Sequence, residues 1–447
     1  MVRRLDGAWE KRECGVKSTV RLGLMGLGTV GSGVYEILDK HRSAISRRAG
    51  GPIEVGRVLV RDPLKARSVA VDPRKITTNP DDLLRDASID IIVELIGCPG
   101  GSTEPAHRYI REALEAGKHV VTANKEVLAK HGAELHAVAQ ERGAGLYYEA
   151  AVAGGIPIVK PIRECLVANE IEAIMGIING TTNYMLTKMS EEGASFEQVL
   201  SEAQALGYAE ADPTSDVEGH DAAYKLAILA SLAFETHVSV DEIYREGITK
   251  VTPEDMAYAD ELGYTIKLLA IAKRSAGAVE ARVHPTLIPK SHPLAAVKDV
   301  FNAVFIEGDS VGELMFYGRG AGKLPTASAV VADVVEAVQN LRRGVPGWLN
   351  GEKKPVRILS HREVVSRYYI HTKVVDRPGV LAQIAQAFGD HNVSVESVIQ
   401  KGRGEDPVSL VFVTHQVVEK NVQAALDRVR LLPVVRSVAN VMRVEGE

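Results

Sequence analysis

Residues 20–25, VRLGLM, run straight into the turn Gly26-Leu27-Gly28-Thr29-Val30-Gly31, and helical sequence follows at once. A strand that ends on Gly-x-Gly-x-x-Gly and opens a helix has few ways to fold. The first glycine permits the tight turn. The second lets another group approach the backbone, and the third lets the helix pack close on the strand. Downstream, Ile53 to Val60 reads as a second strand, and Ile89 to Ile96 as an apolar strand buried on both faces. His119 to Thr122 and Gly145 to Glu149 are further short strands. Helical segments at 32–40, 81–86, 104–116 and 125–142 alternate with them. This alternation predicts an α/β fold with a Rossmann-type, doubly wound parallel sheet.

The alternation stops near residue 150, where the chain becomes small and rich in Gly and Pro. Helical stretches at 196–206, 217–234, 239–245 and 253–259 follow, with strand-like runs at 263–273, 281–288 and 300–307. Residues 151–316 therefore read as an α+β substrate and association domain. An amphipathic helix over 325–340 is opened by Pro325 and Thr326; residues 317–340 are assigned with 18–150. Residues 341–366 read as a linker. Residues 367–447 give strands at 368–375, 393–400, 408–414 and 435–444 and helices at 379–390 and 418–430. That is a ferredoxin-like βαββαβ unit, small enough to be an independent module. Residues 1–17 are charged, lack the apolar stretch of a secretory signal, and are expected to be a disordered extension.

Composition excludes several function classes. A chain of 447 residues is too long for one core, in line with several domains. A net charge of −5 offers no footprint for nucleic acid. No apolar run approaches the roughly 18–20 residues that span a bilayer. Three cysteines, Cys14, Cys98 and Cys165, form no paired framework, which fits a reducing cytoplasm. Cys165 is expected in the core. No Cys/His cluster has zinc-ligand spacing.

The glycine turn suits a dinucleotide, because the helix N-terminus presents free N–H groups and a positive dipole end to a pyrophosphate. A plain tight turn is the alternative. After the second strand come Arg61 and Asp62, with Lys65 and Arg67. Arg61 sits where it can clamp the 2′-phosphate of NADP, which favours that cofactor, whereas Asp62 could instead serve the 2′-hydroxyl of NAD; solvated loop charges are the third reading. Lys125 follows the strand 119–122 at its carboxyl end, where ligands of such sheets bind, although a surface lysine opening a helix looks the same. The segment from Gly207 to Pro213 leads to Asp221 and Lys225, four apart on an apolar helix. A lysine desolvated there can donate a proton to a carbonyl oxygen; a structural salt bridge is the competing reading. Glu210 and Asp221 suit a substrate ammonium, or a divalent metal, although no calcium-loop spacing is present. His220 and His237 receive no role.

These residues resemble the homoserine dehydrogenase family. The likeness is carried by GLGTVGSGV, TANKEVL, YEAAVAGGIPI, IINGTTNYML, GYAEADPTSDVEGHDAAYKLAILA and GRGAGKLPTASAVV, spread over residues 20–340. The module containing Asp376-Arg377-Pro378-Gly379-Val380-Leu381 resembles an ACT domain, as in the longer, monofunctional bacterial form. The resemblance implies reversible reduction of L-aspartate 4-semialdehyde to L-homoserine with NADP or NAD, on the path to threonine and methionine. It implies Lys225 as proton donor and Lys125 between nicotinamide and substrate. Glu210 and Asp221 would hold the substrate amino and hydroxyl groups, and Gly207 and Gly322 would line the cofactor or substrate pocket. It further implies a monovalent cation, sodium, held by Glu149, Val152, Gly154 and Ile156 largely through carbonyls; a plain hinge is the alternative there. L-threonine at the ACT module, near residues 376–381 and Asn392, would act as feedback inhibitor, or the module would only oligomerise. A homodimer or homotetramer is expected. A nucleotide-bound amino-acid sensor without turnover is the non-enzymatic alternative. Cys98, after a strand near the crevice, reads as a crevice-lining residue rather than a nucleophile.

Overall fold

The computed structural model describes residues 18–98, 101–275, 277–345, 347, 355–401 and 407–446. The extension expected at 1–17, with Cys14, lies outside the described residues, as do Pro99, Gly100 and residues 346 and 348–354 of the expected linker. The chain divides into two compact units. One takes the chain up to Val127, His131–Ala150 and Thr326–Asn350; the other takes Leu128–Lys130, Ala151–Pro325 and Gly351–Glu447.

The first unit contains β1 (Val20–Met25), α1 (Thr29–Lys40), α2 (Arg42–Ala49), β2 (Ile53–Leu59), β3 (Ile76–Thr77), α3 (Asp81–Leu84), β4 (Ile91–Glu94), α4 (Ala106–Glu115), β5 (His119–Thr122), α5 (Lys125–Arg142) and β6 (Leu146–Tyr147). Its six strands run in the order β3-β2-β1-β4-β5-β6, every neighbour parallel. The order reverses between β1 and β4, the switch point at which such sheets open a crevice. β4 is buried at every position, which is why it reads as unbroken apolar sequence. Leu22, Leu24, Val34, Ile91, Val93 and Val121 share one core with Val330, Val334 and Val338. The helix Lys323–Arg343 therefore belongs here from Thr326 onward because its apolar stripe completes this core. The strand expected at 145–149 ends at Tyr147, since the chain coils into a short turn at Glu149–Ala151.

The second unit contains β7 (Ile171–Ile177), α6 (Gly180–Glu192), α7 (Phe196–Ala205), α8 (Thr214–Val217), α9 (His220–Ala233), β8 (Tyr244–Arg245), α10 (Pro253–Glu261), β9 (Tyr264–Ser275), β10 (Ala278–Pro289), β11 (Phe301–Gly308) and β12 (Gly312–Arg319). The helix shared with the first unit is α11 (Lys323–Arg343). There follow β13 (Val365–Val374), α12 (Val380–Asp390), β14 (Val395–Lys401), β15 (Val408–Thr414), β16 (Val417–Val418), α13 (Glu419–Arg430) and β17 (Val435–Val444).

The C-terminal elements form the expected βαββαβ unit, with strands in the order β17-β13-β15-β14 and a core of Tyr368, Ile370, Ile384, Phe388, Leu410, Phe412 and Leu426. They do not stand apart from the rest of the second unit. β17 pairs in parallel with β10 at Thr286–Arg443 and Leu287–Val444, and one sheet runs β12-β11-β7-β9-β10-β17-β13-β15-β14.

Three further expectations are corrected. The helix expected at 239–245 is a 3-10 turn, Val240–Glu242, followed by β8, because Tyr244 and Arg245 pair with Arg282 and Val283 of β10. The helix expected over 217–234 is two, broken at Gly219, whose φ of 77° is left-handed. Cys165 is exposed at the end of the turn Pro161–Cys165, while Leu166 turns inward. β7, β12 and α6 were not foreseen.

Candidate active site

In the first unit, the carboxyl ends of β1 and β4 open onto a crevice of about 1050 Å³, lined by Gly26, Gly28, Thr29, Ser32, Arg61, Asp62, Lys65, Ile96, Gly97 and Tyr109 among others. Each glycine of the turn has a distinct duty. Gly26 has φ 98°, and a Cβ there would lie 2.7 Å from the Leu95 carbonyl oxygen. A Cβ on Gly31 would lie 2.2 Å from the Gly26 carbonyl oxygen. A Cβ on Gly28 would meet nothing within 4 Å, so this backbone is open to a ligand. Gly28 also caps α1 without any side-chain bond, which leaves the first-turn N–H groups of Thr29 and Val30 to an incoming anion. The residues present thus fit a dinucleotide pyrophosphate.

Two residues at the end of β2 differ in freedom. Asp62 uses its carboxylate to accept from the Leu64 amide at 2.9 Å, and Arg67 donates to the Lys65 and Asp62 carbonyls. Arg61 faces the same crevice and has no hydrogen bond or ion pair among the described residues. The acid is occupied in holding its loop, and the arginine is available.

Beneath the crevice lies a carboxyl that sequence reasoning missed. Glu94, fully buried at the end of β4, accepts from the Ile96 amide and the Thr122 hydroxyl, each at 2.6 Å. Burial pushes its carboxyl up to about 7, against the lowering effect of those hydrogen bonds. Asn124 caps α5 by accepting from the Val127 amide at 3.2 Å, and its amide donates to the Ile96 carbonyl at 3.0 Å. Lys125 is thereby fixed as the first residue of α5, half-buried, with Nζ 3.2 Å from Glu126. The Cys98 thiol donates to Asn124 at 3.2 Å, and burial raises it, so it is held as a thiol and not as a nucleophile.

In the second unit, Asp221 and Lys225 meet on α9 as their spacing predicts. Lys225 Nζ donates to Asp221 Oδ2 and to the Ile178 carbonyl, both at 2.7 Å, and its side chain is only 12% exposed. Asn179, the N-cap of α6, donates to Asp221 at 2.9 Å and to Asp216 at 2.7 Å. The Asp216 carboxyl is raised by burial and by the Asp221 charge. Two carboxylates and an ammonium are thus gathered around one amide. Asn179 and Asp216 carried a signal, since Asn-Gly-Thr-Thr is an N-cap sequence and Asp216 stands in the acidic segment.

Glu210 lies nearby in sequence on the exposed loop 206–213, and its carboxylate has no hydrogen bond among the described residues. The loop is tied to α6 by the Thr181 hydroxyl, which donates to the Tyr208 carbonyl at 2.7 Å. Gly207, with φ 74°, closes α7: its amide donates to the Gln204 carbonyl and the Tyr208 amide to Ala203. Gly322, exposed with φ 123°, precedes α11. In the loop after β6, Glu149 and the residues Val152, Gly154 and Ile156 are all buried. The carbonyls of Val152, Gly154 and Ile156 receive no hydrogen bond among the described residues. Buried orphan carbonyls fit a hard cation.

Family models match along the chain. The homoserine dehydrogenase NAD-binding domain matches residues 26–149, the homoserine dehydrogenase catalytic model residues 157–335, and the ACT domain residues 368–431. The homoserine dehydrogenase of Bacillus subtilis is 43% identical, covering 96% of this chain and 98% of its own. The chain belongs to the homoserine dehydrogenase family. A crystal structure of a homoserine dehydrogenase from Thiobacillus denitrificans superposes with a TM-score of 0.91 at 46% identity, covering 96% of this chain and 98% of that one. A hyperthermophilic archaeal homoserine dehydrogenase in complex with NADPH matches 71% of this chain and 97% of its own, at 28% identity and a TM-score of 0.59. The chain is an NAD(P)-dependent oxidoreductase that interconverts L-aspartate 4-semialdehyde and L-homoserine, and not a sensor without turnover. No described helix is long and apolar enough to cross a membrane.

Proposed function

We propose that Lys225 is the proton donor of this reaction. The observation that carries the proposal is its coordination. An ammonium has three N–H groups, and Asp221 and the Ile178 carbonyl engage two, leaving one for an incoming oxygen. When bound, the nicotinamide supplies or accepts the hydride. In the reductive direction Lys225 gives its proton to the oxygen of the aldehyde as charge builds there, and its own charge stabilises that oxygen. In the oxidative direction it takes the hydroxyl proton back. Asp221 and Asn179 fix where Nζ points. Asp221 and Glu210 are the carboxylates assigned to the substrate amino and hydroxyl groups, and Lys125 is the second lysine assigned to the reaction. Gly207 and Gly322 shape the backbone beside the substrate and the cofactor.

NADP is the preferred cofactor in this reading. Gly26, Gly28, Thr29, Val30 and Gly31 would hold its pyrophosphate, and Arg61 its 2′-phosphate, as Asp62 is already engaged. The NADPH bound to the archaeal relative is in keeping with this. Val152, Gly154 and Ile156, with Glu149, would hold sodium. The ACT module would bind L-threonine at the exposed turn 376–379, where Gly379 (φ 88°) opens α12, and at Asn392. Free Cys98 and Cys165 fit a cytoplasmic location, and a homodimer or homotetramer is the assembly assigned in this reading. Initial rates of L-homoserine oxidation with NADP, then with NAD, test the cofactor reading. A higher kcat/KM with NADP is expected, and a clear preference for NAD would reverse the role given to Arg61.

A further inference from the structure

Away from the crevice floor, α4 and α5 bring together side chains that the reaction does not use. His107, on the first turn of α4, stacks on His131 of α5 with ring centroids 4.0 Å apart and planes 20° apart. Glu134 lies one turn beyond His131. One ligand atom from each of His107, His131 and Glu134 falls within 4.8 Å of the others. No local spacing announces this group, because its members come from two helices.

The orientation of the surrounding groups is the informative part. His107 Nε2 faces Glu134 Oε2 at 3.2 Å, and its other nitrogen, Nδ1, faces Glu104 Oε1 at 3.3 Å. Glu134 turns its second oxygen to Arg111 Nε at 3.5 Å. Thr103 Oγ1 lies 3.1 Å from His131 Nε2. A metal-bound imidazole characteristically donates its remote N–H to a carboxylate, and a ligating carboxylate has its free oxygen held by a donor. Both supporting contacts are in place before any ion arrives.

We propose that His107, His131 and Glu134 form a site for a first-row transition dication of the zinc class, with water completing the coordination. Two imidazoles and one carboxylate are borderline ligands that favour zinc, cobalt or nickel over magnesium or calcium. The atoms must close from within 4.8 Å to about 3.4 Å, the edge of a tetrahedron with bonds of about 2.1 Å, which side-chain rotation supplies. The ion staples α4 to α5. Glu104 and Pro105, just before α4, also line the dinucleotide crevice, so the staple fixes one rim of it.

The test is a titration of chelator-treated full-length protein with zinc alone by calorimetry, and with cobalt by visible absorption. One saturable site per chain is expected, with the cobalt bands of a low-coordinate nitrogen and oxygen environment. H107Q and H131Q should each weaken zinc by at least about tenfold, and E104Q, which touches only the remote nitrogen, by roughly ten- to a hundredfold. H220Q, on the second unit, should bind as the wild type does. Circular dichroism and an unaltered urea-unfolding midpoint of the metal-free protein confirm that the variants are folded. Absence of a saturable site, or a site that survives both H107Q and H131Q in folded protein, overturns the proposal.

Discussion

At the scale of single residues, burial and pairing separate groups that look alike in sequence. Arg61 and Asp62 are adjacent, yet of the two only Arg61 is without a hydrogen bond or ion pair among the described residues. R61A is expected to weaken NADP about tenfold, the size of one charge-assisted hydrogen bond, and to leave NAD nearly unchanged. Equal effects on both cofactors, measured by fluorescence titration, would remove Arg61 from 2′-phosphate recognition.

Glu94 makes a prediction in pH. Folded, it keeps its proton to about 7, whereas the unfolded chain releases it near the ordinary 4.5. Its contribution to stability is therefore greatest at low pH and is lost as pH rises between those values, by roughly 3 kcal/mol. In E94Q the amide oxygen still accepts from Ile96 and the amide nitrogen donates to Thr122. The variant should gain on the wild type between about pH 5 and pH 8 in urea unfolding. Parallel stability curves would show that Glu94 titrates normally.

At the scale of elements, the joint between β10, α10 and the C-terminal module is polar at its centre. Asp255 of α10 accepts from Tyr369 and His371 at 2.9 Å and from Asn440 at 2.8 Å, all three on the module. Burial alone would raise this carboxyl, but the hydrogen bonds from His371, Asn440 and Thr252 outweigh it and hold it below its ordinary range. Its stabilisation is present above that range and lost as pH falls through it. Arg443 of β17 reaches Glu246 at 2.9 Å and Glu419 at 3.0 Å, and Glu445 joins Arg282 and Lys273. D255A should cost about 3 kcal/mol, because it leaves buried donors without an acceptor. Differential scanning calorimetry would show this as a lowered transition of the second unit; an unchanged transition would mean that the pairing of β10 and β17 carries the joint alone.

The same elements show what could be read in the sequence. Most of the first unit was legible because β1, β2, β4 and β5 are short apolar runs closed by recognisable turns, whereas the two-residue β3 gives no such run. β5 and α5 fall at the predicted residues for that reason. The pair Asp221 and Lys225 was legible from helical spacing. α6 was hidden, since Asn179 to Asn183 look like loop sequence until the Asn179 cap is seen to accept from Thr182. β8 was hidden because its pairing partner lies far along the chain on β10. Glu94 acts through burial and tertiary contacts, which no local pattern encodes, and the local cap signal of Asn179 gives no hint of its bonds to Asp216 and Asp221. The joint between the module and β10 escaped notice for the same reason.

At the scale of the whole molecule, a ligand bound at the ACT module would have a physical route to α9 within the second unit. The ACT module shares one sheet with β10, and α9, which bears Lys225, packs on β9 and β10. An effector that moves β17 would be felt by the strands under α9. Millimolar L-threonine should lower the initial rate in the wild type and do so less in D255A. A flat response to threonine, with no binding heat, would leave the module an assembly device.

The central claim is that a lysine on α9 moves the proton while the glycine turn holds the hydride carrier. The direct test is steady-state L-homoserine oxidation by K225A, with NADPH affinity measured on the same preparation. The account predicts a kcat lower by roughly two to four orders of magnitude and a cofactor Kd within about twofold of wild type. Turnover near the wild-type value would contradict it.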